Sequence, residues 1–341
     1  MTAILANPSK RGANGLSRMR PVRDLYQVAE LVELCFEPNL DAGGRAVIRE
    51  WKTIGSIWPL AVLVSLIDVG QSVLGTGFVW RQRRRVIGNV GIYRVGPHPY
   101  LGRGFVIANV AVHPNYRRRG IAKQLMDSAI NWVRNQGGSW IALEVEAESE
   151  PAFKLYEGLG FASFETLAEW ESRPTARRVV VSNTEGWSVR RRQRFEVHDE
   201  VDLVLRRARR GGMTWTRPIE RYDFQASLTL PNLDESLSSA SKERWILLKD
   251  GEPGRLYGAM WITAMSFKKT RVSLFLDPVV TDPKGRQALL LHALAHPELR
   301  RRGMLIEVVD GDAITNEVLR QAGFKLRRRL VQMRLSLDET E

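Results

Sequence analysis

The most constraining stretch of this chain is 104–113, GFVIANVAVH, almost continuously apolar and followed by Pro114, the arginines Arg117, Arg118 and Arg119, and Gly120. A strand with one wet face alternates apolar and polar residues. An unbroken apolar run therefore predicts a strand covered on both faces, inside a sheet. From Gly120 the period changes: Ile121, Leu125, Ala129 and Val133 recur every fourth residue until Gly137-Gly138, which predicts a helix. A second buried strand follows at 140–145 (WIALEV). Ser149 is placed to cap a further helix with Pro151 in its first turn and Ala152, Leu155 and Leu159 on its apolar face. Gly160 ends that helix and Phe161 opens a last strand. Upstream, Leu25, Val28, Ala29, Leu31, Val32 and Leu34 fit one helix face, and 78–80 and 86–95 read as strands paired across a polar turn at 82–85. Helix, three strands, helix, strand, helix, strand is a mixed α/β layer around one sheet.

The same order then recurs. Strands are expected at 187–192, 245–249, 256–263, 271–277, 305–309 and 324–335, and helices at 197–208, 288–294 and 313–321. The repeat spacing is about 165 residues. The expected fold class is α/β with two tandem domains, each a central mixed sheet flanked by helices: a first domain at 18–172, a linker at 173–186 and a second domain at 187–337. The length of 341 residues agrees with two domains of about 150 residues each.

Composition removes several classes. The single cysteine, Cys35, excludes a disulfide framework and a cysteine-built zinc site and fits a reducing cytoplasm, the expected location. The first twenty residues show no signal-peptide pattern, and the longest apolar run, 54–67, is broken by Pro59 and short of the roughly 20 residues of a membrane helix. That run, with Trp51 and Trp58, reads as a core segment beside an acceptor site. Net charge is +13, with 20 basic and 16 acidic residues to position 172 and 31 and 22 beyond it. Interleaved aromatics of a single-strand nucleic-acid platform are missing, so neither nucleic acid nor membrane is expected as a partner. His292 and His296 have metal-pair spacing, but no glutamate follows His292 and no third ligand is evident; they read as a surface pair, and no metal is expected.

The chemistry concentrates where the strand at 104–113 runs out. A tight loop feeding a helix presents free backbone N–H groups and the positive end of the helix dipole. Gly120 and Ala122 carry little side chain, so a phosphate can approach the backbone, and Arg117 to Arg119 add charge. A plain strand–loop–helix junction shares these features, and both readings stand at this level.

The segment resembles the pyrophosphate-binding motif of the GNAT acyl-coenzyme A N-acetyltransferases, Arg/Gln-x-x-Gly-x-Gly/Ala, through Arg117, Gly120 and Ala122. Residues 151–161, PAFKLYEGLGF, resemble the family's second motif, Asn-x-x-Ala-x-x-Leu-Tyr-x-x-x-Gly-Phe. The clear likeness covers about 75–170 and extends weakly to about residue 18. It implies an acetyl-coenzyme A dependent N-acetyltransferase that transfers acetyl directly to a primary amine of a small molecule or peptide. By the same resemblance, the backbone of Val110, Ala111 and Val112 meets the pantetheine arm, and the amides of Arg117, Arg118, Arg119, Gly120, Ile121 and Ala122 hold the pyrophosphate. Tyr156 is the acid for the departing thiolate. Ser149 replaces the frequent asparagine and reaches less far. Glu144, in a Leu-Glu-Val context similar to the ribosomal-protein amino-terminal acetyltransferases, is the candidate base. Strand alternation makes Glu146 the second candidate, and ordered water is a third. A coenzyme-binding protein without turnover is the alternative, and a homodimer is left open.

The second half resembles the same fold with its chemistry eroded. Setting Gly285 against Gly120 puts Asp282 at the place of Arg117 and Gln287 at that of Ala122, and Leu319 takes the tyrosine position. A carboxylate there repels a diphosphate, and Pro283 removes a donor. The resemblance therefore implies a tandem member with a degenerate second domain.

Overall fold

The computed structural model describes residues 14–37, 40, 42–57, 76–95, 102–174, 184–208, 241–264 and 269–337. The chain forms two compact units. One comprises 1–143, 155–161 and 334–341, the other 144–154 and 162–333.

The first unit opens with β1 (Gly15–Arg18), α1 (Pro21–Phe36) and α2 (Ala42–Ser56). Neither β1 nor α2 is legible in the sequence. Proline at the start of α1 costs no hydrogen bond, because the first N–H groups of a helix have no intrahelical acceptor. The sheet continues with β2 (Thr76–Gln82), β3 (Arg85–Arg94), β4 (Gly104–Val112) and, across α3 (Ile121–Asn135), β5 (Trp140–Glu146). The β2–β3 turn places Arg83 and Arg84 both at positive φ, 47° and 70°, the twist a two-residue hairpin needs. The strand order is β1-β2-β3-β4-β5, antiparallel throughout except for the parallel pair β4–β5. Helices α1 and α2 bury Leu25, Val28, Val32, Ile48 and Trp51 against Val79, Val86 and Ala111 on one face. On the other face α3 rests on Gly88, where an added Cβ would meet Ile121 and Leu125 at 3.0 Å. Strand β4 is therefore interior and covered on both sides, as its sequence requires.

The second unit takes up β6 (Ala162–Glu171), β7 (Trp187–Arg191), α5 (Val197–Ala208), β8 (Ser241–Lys249), β9 (Gly258–Ala264), β10 (Thr270–Leu276), α6 (Pro283–Ala295), α7 (Pro297–Arg302), β11 (Met304–Val309), α8 (Ala313–Gln321) and most of β12 (Lys325–Ser336). Its strands run β12-β6-β11-β10-β9-β8-β7; β10–β11 is parallel, while β11–β6, β10–β9, β9–β8 and β8–β7 are antiparallel. Alternation divides its core. Leu167, Ile246, Ala259 and Phe275 face α5, while their neighbours Ala168, Leu247, Met260 and Leu274 face α6 and α8. Strand β6, reckoned from the sequence with the first domain, is hydrogen-bonded to β11 from Leu167↔Val309 to Glu171↔Leu305 and so falls in the second unit. Residues 334–341 fall in the first. Between them, α4 (Glu150–Glu157) carries the second motif. Most of the run 54–67, and residues 175–183 of the linker, lie outside the described residues.

Candidate active site

Strand β4 pairs with β5 only from Gly104↔Trp140 to Val106↔Ala142, although β4 continues to Val112. Beyond Val106 the parallel neighbours part. The parting coincides with a bulge: Asn109 sits at φ 55°, and the register with β3 slips between Asn89↔Ala111 and Gly91↔Ala108. His113 N–H donates to Ile87 O, so by antiparallel alternation Ala111 faces β3 and the polar groups of Val112 point the other way. The Val112 carbonyl is engaged: it accepts from Arg117 Nε at 3.1 Å and from Cys35 Sγ at 3.5 Å. Burial pushes the Cys35 thiol up, with Arg117 and the Val112 carbonyl opposing.

After Val112 the chain makes one 3₁₀ turn (Pro114–Tyr116), closed by Tyr116 N–H to His113 O and Arg117 N–H to Pro114 O. The next backbone bond of the junction is Gln124 N–H to Gly120 O. Among the described residues, nothing accepts from the intervening N–H groups of Arg118, Arg119, Gly120, Ile121, Ala122 and Lys123. They lie at the positive end of α3, a fifteen-residue helix whose N-cap, Gly120, has φ 74° and no side chain to cap it. Arg118 is left-handed too, at φ 60°, so the amides turn about a concavity of the kind that binds anions. A Cβ on Gly120 would meet only Gln124 Nε2, at 3.8 Å, so the space over the glycine is open. These features fit a diphosphate. The arginines contribute unequally. Arg117 is folded onto Val112 O, and Arg119 reaches Asn115 O at 3.2 Å and lies over the Tyr116 ring. Arg118 is exposed on the loop.

Tyr156 is 6% exposed on α4, its ring edge-on to Phe161. Burial pushes its hydroxyl up to about 12, so the phenol keeps its proton across the physiological range. Gly160 at φ 89° ends α4 in a Schellman motif, with Phe161 N–H on Tyr156 O and Gly160 N–H on Glu157 O. The Ser149 carbonyl accepts from Ala152 and Phe153 N–H in the first turn. Glu144 and Glu146 are half-buried on one face of β5, and each meets a residue of β12. Gln332 Nε2 donates to Glu144 Oε1 at 3.1 Å, and Arg328 reaches Glu146 at 3.4 Å. The partners Gln332 and Arg328 have no local sequence signal, since they stand more than 180 residues away.

The second unit repeats the scaffold with other chemistry. Gly323 at φ 82° ends α8 with Phe324 N–H on Leu319 O, the same motif as at Gly160, with Leu319 fully buried where Tyr156 stands. Pairing of β10 with β11 stops at Ser273↔Glu307, and a cavity of about 190 Å³ follows, lined by Leu276, Asp277, Arg286, Val309 and Asp312 among others. One sequence alignment needs correction. The residue at the N-cap of α6, where Gly120 stands on α3, is Asp282 and not Gly285. The Asp282 carboxylate accepts from Lys284 N–H at 3.0 Å and from Trp187 Nε1 at 2.6 Å, and these bonds, the indole first, hold it below the usual carboxylate range. Gly285 lies inside the helix, where a Cβ would sit 2.5 Å from the Trp187 ring. The histidines are not a surface pair either. His292 stacks on Trp245 at 4.1 Å, and His296 meets Glu243 at 3.4 Å.

Comparison with known proteins points to the GNAT acetyltransferases. Residues 28–161 match the acetyltransferase (GNAT) family. A GCN5-related N-acetyltransferase from Sphaerobacter thermophilus shares the fold over 94% of this chain and 95% of its own, at TM-score 0.62 and 16% identity. A tandem GNAT protein from the clavulanic acid biosynthesis pathway does so over 96% and 99%, at TM-score 0.56 and 16% identity. In sequence, N-alpha-acetyltransferase 30 of Schizosaccharomyces pombe is 38% identical over 65 residues, which is 19% of this chain and 43% of that relative's length. Among the described residues, no group of three His, Cys, Asp or Glu is placed to hold a metal, and no helix is long and apolar enough to cross a membrane.

Proposed function

We propose that this protein is an N-acetyltransferase whose first domain binds acetyl-coenzyme A and passes the acetyl group directly to a primary amine. The observation that carries this reading is the row of six N–H groups at the open N-terminus of α3 that find no acceptor among the described residues. The amides of Arg118, Arg119, Gly120, Ile121 and Ala122 hold the diphosphate and Arg118 adds charge, whereas the Arg117 N–H, expected from the sequence to join them, is taken by Pro114 O. The parted edge of β4 at Val110, Ala111 and Val112 takes the pantetheine arm. Val112 offers its N–H, because its carbonyl is already held by Arg117 and Cys35. The bound coenzyme supplies a thioester-activated acetyl group. Tyr156 keeps a phenolic proton for the departing sulfur, as a hydrogen bond or a full transfer. Glu144 takes the proton of the incoming amine, and Ser149 is a lesser coenzyme contact. The acceptor is a small molecule or a peptide amino terminus.

The second domain is degenerate in this reading. Asp282 places a carboxylate at the N-terminus of α6, Pro283 removes a donor and Leu319 has no proton to give.

Calorimetry with acetyl-coenzyme A, then mass spectrometry of an amine and peptide panel for the gain of an acetyl group, tests the proposal; absence of binding defeats it. Tyr156→Phe is expected to slow transfer by about a hundredfold or more while leaving coenzyme affinity unchanged. An unchanged rate on every amine would favour a coenzyme-binding protein without turnover.

A further inference from the structure

The bulge beyond which β4 runs apart from β5 is built on a residue with a side chain. Asn109 and Val110 together stand opposite Val90, because the register passes from Asn89↔Ala111 to Gly91↔Ala108. Asn109 takes φ 55°, where asparagine is strained less than most residues but more than glycine. Two side chains of β3 reach it. Asn89 lies on the α1 face of the strand, since its partner Val79 belongs to the α1–α2 core, and alternation puts Gly91 and Tyr93 on the same face. Asn89 Nδ2 donates to the Asn109 carbonyl at 2.9 Å, and Asn109 Nδ2 donates to the Tyr93 hydroxyl oxygen at 3.0 Å. The Tyr93 ring lies back over Gly91, where an added Cβ would meet its Cε2 at 3.1 Å and its oxygen at 3.3 Å.

The arrangement is a brace rather than ordinary packing. Asn89 is 1% exposed, and among the described residues its Oδ1 finds no donor. A buried carbonyl without a donor is costly, so an apolar residue would suit this position unless the single Nδ2 bond to the bulge were needed. Burial pushes the Tyr93 hydroxyl up, with the Asn109 bond opposing, so the ring meets the amide as a neutral phenol. Pairing of β4 with β5 ends at Val106↔Ala142, three residues before Asn109, and Val110, Ala111 and Val112 follow the bulge directly. Without the bulge the strand beyond it slips by one residue, and such a slip reverses which way each N–H and side chain points. We infer that Asn89 and Tyr93, acting through Asn109, are positioning residues that hold β4 in the bulged conformation whose edge at 110–112 receives the pantetheine arm. This rests on the acetyltransferase reading above.

The test uses the full chain and calorimetry with two ligands: acetyl-coenzyme A, which carries the arm, and 3′-phosphoadenosine diphosphate, its nucleotide part alone. Asn89→Ala and Tyr93→Phe are each expected to weaken acetyl-coenzyme A by about tenfold, while the nucleotide binds within about twofold of wild type. A general loss of structure would weaken both ligands together. Tyr93→Phe, which removes one oxygen, decides alone should Asn89→Ala not fold. Asn109→Gly supplies the rescue: glycine takes φ 55° without help, so Tyr93→Phe is expected to change acetyl-coenzyme A affinity by less than about twofold in that background. Unchanged acetyl-coenzyme A affinity in the single variants, a parallel fall for both ligands, or a Tyr93→Phe effect just as large in the Asn109→Gly background overturns the inference. The wild type separates this failure from that of the reading beneath it: wild type that does not take acetyl-coenzyme A, or does not take the nucleotide, defeats the acetyltransferase site itself, and the inference with it.

Discussion

If the N-terminus of α3 grips a diphosphate, giving it the cap that α6 already has should abolish the grip without unfolding the domain. Gly120→Asp does this, since Asp282 occupies the same N-cap position on α6. The backbone cost is small. Aspartate tolerates the left-handed region better than most residues with a Cβ, so φ 74° costs about 1 kcal/mol, although Asp282 makes its own cap bonds from extended backbone at φ −64°. No neighbour is displaced, since a Cβ meets only Gln124 Nε2 at 3.8 Å. The ligand pays more. Two unit charges 4 Å apart repel by about 4 kcal/mol at an effective dielectric of 20 and about 1 kcal/mol in bulk water, and this exposed junction lies between, near 2 kcal/mol. The new carboxylate also takes amide donors from the anion, at about 1 kcal/mol or more. A loss near 3 kcal/mol weakens acetyl-coenzyme A binding by more than about a hundredfold. Calorimetric titration beside thermal melts measures both quantities, with Gly120→Ala as the control that carries strain but no charge. A folded Gly120→Asp protein that binds within about threefold of wild type refutes the reasoning, because an anion seated on those amides cannot ignore a carboxylate there.

The core and the acid limit of stability supply two further expectations. Gly104→Ala sets a Cβ 2.0 Å from the buried Trp140 ring where β4 and β5 pair, so it should cost about 1–3 kcal/mol and lower the melting temperature by several degrees; an unchanged melt would show that the ring yields freely. Burial raises Glu196, but two bonds from Arg190 at 2.9 and 2.6 Å and one from Gln193 N–H outweigh it and hold the carboxyl below its ordinary range. A carboxyl depressed in the folded state contributes stability that is present above its unfolded value, near pH 4.3, and is lost as pH falls through the lower folded value. Urea unfolding between about pH 3 and 7 should therefore fall less steeply on the acid side in Glu196→Gln, and equal slopes would remove Glu196 from the account.

Most regular elements were legible because local periodicity decides them. Strand β4, helix α3 and the Gly160 terminus each follow from residues within about a dozen positions of one another. The misses share a cause. Helix α2 contains Gly43, Gly44 and Gly55, so its apolar face is interrupted and only packing against α1 reveals it. The short β1 has no pattern of its own and exists by pairing with β2. Residue type gave the order of the second half but not its register, which is why Gly285 was set against Gly120 when the N-cap residue is Asp282.

At the junction after β4 the sequence alone settled the backbone: an apolar run, a proline, arginines and a glycine free to take positive φ fold into one turn and an uncapped helix whatever lies far away. What the carboxylates of β5 meet was decided elsewhere. Glu144 and Glu146 look alike in the sequence, two positions apart on one strand face, and only an antiparallel partner arriving from 188 residues downstream sets a neutral amide against one and a guanidinium beside the other. Strand register is a long-range property, fixed by which hydrogen bonds close between distant segments, and no local window contains it.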